Sequence, residues 1–342
     1  MNAVERRYSP FKVDMTAQQG ASAEAAAAAA ARRILLELVP QRREEIDAVY
    51  RATVASIPDG DAKSRGAALG EEVAVKIALW RANDRSDVLV DYVPQSGPGF
   101  YVPTSSNPMI APHWGGVTPW TTTSLNQFRP GPPPGLDSEQ WKHDLAETMS
   151  LGGKGSALRT AEQTVIARFH SPPEFPVWNA IARGVVAERR PSLGASARLF
   201  AMLNLSMADA MIAVYDAKYT YNFWRPVTAI HAGSAGIAAD SNWEPLIPVP
   251  MHPEYPCAHC AIGGAARAVM ESEFGDAVQF SVSTEAMPDT IRKYPSFATF
   301  AEEEAYSRIL GGIHFRNSWI TGAATGRKIG EQAVAKTMRP QS

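Results

Sequence analysis

The chain has 342 residues, 45% of them hydrophobic and 20% charged, with a formal net charge of -2. That composition supplies ample apolar material for a core and offers no basic surface of the kind that binds nucleic acid. No apolar run reaches the roughly 20 residues of a bilayer span, so no transmembrane segment is expected. Residues 1–10 carry Glu5, Arg6 and Arg7 without an apolar stretch, which is not a signal-peptide pattern. The compartment stays unknown. Cys257 and Cys260, three apart, are the only cysteines; they make no disulfide framework, and whether they bond to each other stays open.

In chain order, Ser22 is placed to cap a helix over Ala23–Leu38, stopped by Pro40. The alanine tract inside it needs no other reading, since alanine is the best helix former. Helices over 42–56 and 62–81 follow, the latter with Ala68, Val73, Ile77 and Trp80 at helical spacing. These form an N-terminal helical region over 15–85.

Residues 86–135 hold ten prolines, a density that breaks helix and sheet alike. Phe100, Tyr101, Trp114 and Trp120 make this a packed loop, suited to act as a lid. Helical patterns resume over 138–150, 157–169, 175–188, 193–224, 257–273 and 314–337. No alternating strand pattern of useful length is present. The expectation is an all-α helical bundle, one domain over 1–342, with antiparallel helical faces compatible with a homodimer.

Three segments carry chemistry. Lys218 and Arg225 are seven apart, which puts them on one helix face two turns from each other, and Pro226 biases Arg225 out of the helix. Alone, the pair reads as two solvated cations at a helix end. In the second segment, His252 to Cys260, two prolines precede a helix start, where unpaired N–H groups and the helix dipole suit an anion. His259 lies in its first turn; alone, it reads as a capping or core histidine. In the third, Gly311 and Gly312 break a helix and His314 opens the next, so Arg308 and His314 flank a turn. Alone, that is a helix–helix joint.

Together the three resemble the signature Lys-x6-Arg-Pro, Pro-Ser-Gly-His, Ser-Arg-x3-Gly-x-His of the vanadium-dependent haloperoxidases and type-2 phosphatidic-acid-phosphatase-like enzymes. Lys218, Arg225 and Pro226 match the first part in full, and Ser307, Arg308, Gly312 and His314 the third. The second keeps Pro256 and His259 but carries Cys257 and Ala258 for serine and glycine. Ile57–Gly60, Asn83-Asp84, Trp114–Trp120 and Tyr219–Trp224 look like the soluble bacterial haloperoxidase branch, so the resemblance covers nearly the whole chain. Such relatives usually carry more sequence ahead of Ala3–Tyr8 and are often exported, which implies a late start here.

The resemblance implies a vanadate cofactor with His314 as the vanadium ligand and His259 as the acid–base group. Lys218, Arg225, Arg308, Cys257 and Ala258 would hold the oxyanion. The substrates implied are hydrogen peroxide and a halide. The same residues serve an acid phosphatase, in which His314 attacks a phosphate ester and His259 protonates the leaving alcohol. Cys257 is a weaker donor than serine and is open to oxidation. Ser318 stands where many relatives have an aspartate, leaving the partner that orients His314 unnamed. Two other classes remain: a redox dithiol or half a metal site at Cys257 and Cys260, with His252 or His231 as distant ligands, and an oxyanion-binding protein without turnover.

Overall fold

The computed structural model describes residues 1–124 and 126–341. Leu125, inside the proline-rich stretch, and Ser342, at the end of the expected domain, lie outside the described residues. Contacts divide the chain into two compact units: Met1–Asp84 with Ser192–Arg198 and Lys336–Ser342, and Arg85–Pro191 with Leu199–Ala335.

The first unit contains α1 (Asn2–Glu5), α2 (Ala23–Leu38), α3 (Arg43–Ala55) and α4 (Asp61–Arg81). The Ser22 hydroxyl caps α2 as expected, accepting from the Ala25 N–H at 3.1 Å. Ala25, Ala26 and Ala29 are its buried residues, and Gly66 and Gly70 of α4 meet it backbone to backbone. The alanine tract is therefore a smooth packing face as well as a helix former.

The second unit carries α5 (Glu139–Gly152), α6 (Ala161–Phe169), α7 (Glu174–Arg189), all of α8 (Leu193–Tyr221) beyond its start, α9 (Pro226–Ala232) and α10 (Ala258–Phe274). Then come strands β1 (Phe280–Thr284) and β2 (Met287–Tyr294), α11 (Phe297–Leu310) and α12 (Arg316–Lys336). Helix α6 begins four residues later than the periodicity suggests, because Thr160 and Gln163 form a reciprocal capping box there. The expectation of no strands is corrected by the antiparallel β1–β2 hairpin, which buries Val282 and Thr284. Five alternating residues were too few to register as a pattern.

Helix α8 corrects the expectation of no span-length apolar helix. It is long and apolar enough to cross a membrane by length and composition. Its apolar window is 56% buried inside the protein, as in a core helix.

The proline-rich stretch is ordered by anchors along α8 and the turns that follow it. Asp209 accepts from the Trp120 and Thr121 amides at 2.7 and 2.8 Å, and Arg129 pairs with Asp216 at 2.7 Å. The Tyr101 N–H donates to the Asn222 carbonyl at 2.8 Å, and the Trp224 N–H to the Gly99 carbonyl at 2.9 Å. Proline cannot join a regular ladder, so side chains and isolated bridges fix this segment instead.

Helices α10 and α12 approach most closely through a row of small residues. Gly322, Gly326 and Gly330 of α12 face Cys257, Ala261 and Ala265 of α10, both rows at four-residue spacing. A Cβ at Gly326 would stand 1.8 Å from the Ala261 carbonyl oxygen, well inside van der Waals contact distance. This contact locks the start of α10 against α12, and on that junction the site is built.

Candidate active site

The structure brings the sequence-marked residues together from five elements of the second unit. Lys218 is in the last turn of α8 and fully buried. Arg225, also fully buried, is not on the same helix, which corrects the one-face expectation. Helix α8 ends at Tyr221, Asn222 turns left-handed at φ 50°, and Arg225 is extended as the N-cap of α9. Pro226 is the cause: it disfavours helical geometry at the residue before it and fits the first position of a new helix.

Both cations are held by carbonyl groups. The Lys218 ammonium donates to the Pro253 and Glu254 carbonyls at 2.9 and 2.7 Å. The Arg225 guanidinium donates to the His252 and Ile313 carbonyls at 2.9 and 2.8 Å, and its Nη2 lies 2.9 Å from His252 Nδ1. Arg308 ends α11 and donates to the His170 carbonyl at 2.5 Å, while its Nε is buried with no partner. Among the described residues, none of these three cations has a carboxylate oxygen within 4.0 Å. Burial pushes the Lys218 ammonium well below its ordinary value, with Arg225 repelling it further. Burial likewise lowers Arg225 and Arg308 to about 10. Three desolvated charges without direct counterions call for an anion.

His314 lies in the turn after Gly312, whose φ of 76° suits glycine. Helix α12 starts two residues later, at Arg316, rather than at His314. The ring is buried, with Nδ1 2.6 Å from Glu254 Oε1 and Nε2 3.4 Å from Arg225 Nη1. Burial, then Arg225 and Lys218, keep its pKa well below the usual histidine value. A neutral ring that donates from Nδ1 to Glu254 leaves a lone pair on Nε2.

Glu254 was missed as a functional residue, although it stands inside the His252–Cys260 segment. It is fully buried, accepts from the Phe315 N–H at 3.1 Å and faces Ser318. Burial raises its pKa to about 7, against the pull of Lys218 and Arg225. His252, read earlier only as a distant metal ligand, is buried against Arg225 and Tyr215.

His259 takes the second position of α10, as expected. Its Nδ1 lies 2.6 Å from Glu174 Oε1 and its Nε2 3.2 Å from the Pro172 carbonyl. Glu174 begins α7 and was not marked by the sequence. Burial would raise its pKa, but His259 and Arg308 outweigh that and hold it below the ordinary value. Glu304, buried one turn before Arg308, is pushed well above the carboxylate range by burial and then by Glu174. Its contact with the Trp178 indole N–H at 3.3 Å completes an acid network behind His259.

Cys257 is the N-cap of α10, and its sulfur accepts from the Cys260 N–H at 3.2 Å. The two cysteines form a disulfide. The half-metal-site reading is thereby corrected: bonded sulfurs are not thiolate ligands, and among the described residues no cluster of three metal-ligating side chains occurs. His231 instead meets the Trp243 carbonyl at 2.8 Å. The amides of Ala258 and His259, first in α10, have no helical acceptor and remain for an incoming anion. Trp114 packs beside Ala258 and Tyr215, whereas Phe223 and Trp224 belong to the core around Trp141 and Phe315.

The chain has counterparts among known proteins. Residues 198–342, which include all seven marked positions, match the family model of the VCPO second helical-bundle domain. The structure aligns with the first bacterial vanadium-dependent iodoperoxidase at TM-score 0.85 and 27% identity, covering 99% of this chain and 87% of that one. Over residues 198–342 the chain is similar to the vanadium-dependent haloperoxidases. An apo bacterial vanadium-dependent chloroperoxidase shares the fold at TM-score 0.78 and 16% identity, covering 96% of this chain and 87% of that one. Vanadium chloroperoxidase of Curvularia inaequalis is 28% identical over 191 residues, 45% of this chain and 31% of that protein. The match thus spans about a third of that curated relative. Cys257 and Ala258 are the positions that depart from the signature set out above.

Proposed function

We propose that this chain is a vanadate-dependent haloperoxidase, with hydrogen peroxide and a halide as substrates. The observation that carries this is the set of three buried cations, Lys218, Arg225 and Arg308, bonded to carbonyl groups alone or with imidazole. The orphaned Arg308 Nε and the free amides at the start of α10 fit a tetrahedral oxyanion. His314 Nε2, freed by the Nδ1 contact with Glu254, is the ligand atom for vanadium.

When bound, vanadate supplies a Lewis acid that activates peroxide toward a halide nucleophile. The chain's own groups do the rest. Lys218, Arg225 and Arg308 neutralise the oxyanion, and its charge in turn restores the protonation that burial disfavours on Lys218. His259 takes up and returns a proton, and Glu174 stabilises the charged ring. In that form the proton sits at Nε2, facing the Pro172 carbonyl. The apolar surroundings of Tyr101, Tyr215 and Phe315 limit water around the cations.

The test is oxidation of iodide, bromide and chloride by the vanadate-loaded protein with peroxide, alongside phosphate-monoester cleavage without vanadate. Halide oxidation that disappears in His314→Ala supports the reading. Ester cleavage with no halide oxidation would replace it with a phosphatase.

A further inference from the structure

The Cys257–Cys260 pair is not absorbed by the haloperoxidase reading. Both residues are buried in one cluster with Ala305 and Trp319, and Cys260 also lines a cavity. Cys257 is fully buried at the N-cap of α10. Cys260 lines a separate cavity of about 160 Å³ between α10, α11 and α12, whose walls include Ala301, Trp319, Ala323 and Ala324. Ala324 at its edge is exposed.

We propose that this cavity is a thiol-exchange site, through which a low-molecular-weight thiol reduces the disulfide and thereby weakens oxyanion binding. The geometry fixes the direction of attack. The incoming thiolate reaches Cys260, the sulfur next to the cavity, and forms a new bond to it as the Cys257–Cys260 bond breaks. Cys257 leaves with the electron pair. It is the better leaving group, because a thiolate there accepts the Cys260 N–H and lies at the positive end of a 17-residue helix. A second thiol attacks the mixed disulfide and releases Cys260. In sum, two small thiols become one disulfide, giving two electrons and two protons to the protein pair.

The consequence follows from where Cys257 stands. It immediately precedes the amides of Ala258 and His259 and follows the segment that Lys218 holds. Oxidised, the sulfur carries no charge. Reduced, its thiolate competes with an oxyanion for the same positive end of α10, and like charges within several ångströms weaken binding by about tenfold or more. This effect on affinity rests on the oxyanion reading above; the exchange itself does not.

The experiment uses inorganic phosphate as probe, because thiols reduce vanadate. Whole protein is incubated with dithiothreitol or left oxidised, then desalted without oxygen. Free thiols are counted after denaturation and phosphate affinity is measured by calorimetry. Two new thiols per chain, formed without denaturant, and affinity lower by about tenfold support the proposal. Ala324→Trp, at the cavity edge, should slow reduction several-fold and leave phosphate affinity unchanged. Cys260→Ser should bind phosphate like the reduced protein whatever the reductant. Two free thiols in the air-oxidised protein, reduction only after unfolding, or equal affinity in both states would each overturn the proposal. No phosphate binding even when oxidised would sink the oxyanion reading itself, and the gating with it, whatever the thiol counts.

Discussion

Glu254 Oε1 lies 2.6 Å from His314 Nδ1, and both groups are buried. The carboxyl also accepts from the Phe315 N–H, so its position is fixed by the backbone of the turn it serves. It arrives from sixty residues upstream, in the segment that also provides carbonyl acceptors for Lys218 and Arg225. Position 318, within reach of the same carboxyl, is a buried serine. One acid therefore sets the histidine's tautomer, with the buried serine beside it.

Glu254→Gln keeps the volume but lets either end of the amide face the ring, so Nε2 no longer holds its lone pair uniformly. Oxyanion-supporting contacts of this kind are worth about 10–100-fold in metal affinity. Vanadate affinity should fall by about that factor, with Glu254→Asp intermediate and the circular-dichroism spectrum unchanged. Binding within twofold of wild type in Glu254→Gln would show that the contact does not position the ligand atom.

Much of this was legible in the sequence. Lys218, Arg225, His259, Arg308 and His314 could be marked because together they match the three-part signature, whereas each segment alone reads as an ordinary helix end or joint. Arg225 shows the limit: its helix was misplaced because a spacing of seven suggests one continuous face, and Pro226 overrules it. Glu254, Glu174 and Glu304 were not marked. Each acts through a partner on another element, and a lone buried glutamate leaves no periodic trace in the chain. The β1–β2 hairpin was missed for brevity, and the disulfide was left open because a spacing of three suits a dithiol, a ligand pair or a bond equally.

Glu174 should behave differently from Glu254. It supports His259, which the proposed mechanism uses to move protons rather than to hold the anion. Glu174→Gln should leave vanadate affinity within about threefold and lower turnover by about tenfold to a hundredfold, as expected for losing part of a general acid–base pair. A variant that loses affinity and turnover in equal measure would place Glu174 in the anion cradle instead.

The α10–α12 junction gives a pair of glycine substitutions with opposite signs. Gly326→Ala puts a Cβ against the Ala261 carbonyl, and overpacking of this kind costs about 1–3 kcal/mol. Gly184, in α7, is exposed with nothing near its missing Cβ, so Gly184→Ala should stabilise by about 0.5–1 kcal/mol. Thermal denaturation of both variants reads the difference. Phosphate affinity should fall only in Gly326→Ala, whose change displaces the start of α10. Equal stability changes in the two would mean that the helices do not meet as closely as the structure shows.

Glu303 offers a test against pH. It accepts from Tyr294 Oη at 2.6 Å and from Arg292 Nη2 at 2.8 Å, and lies 3.0 Å from His170 Nε2. Burial would raise its pKa, but these bonds outweigh that and bring it from 4.5 to about 2. A carboxyl with a depressed folded pKa stabilises the protein above its unfolded value and loses that contribution as pH falls through the folded one. His170 acts in the same sense, since burial lowers its pKa and charging it below about 6.5 favours the unfolded chain. Glu303→Gln should therefore cost about 1–2 kcal/mol at pH 7, a figure reduced by solvent screening of the partly open cluster. The gap from wild type should narrow by about pH 3, inside the window between 4.5 and about 2. Because Arg308 donates to the His170 carbonyl, the variant should also loosen oxyanion binding modestly at neutral pH. Denaturant melts of both proteins at pH 7 and pH 3 decide it: a gap that stays constant or widens in acid would show that the ionised carboxylate is not what holds this cluster.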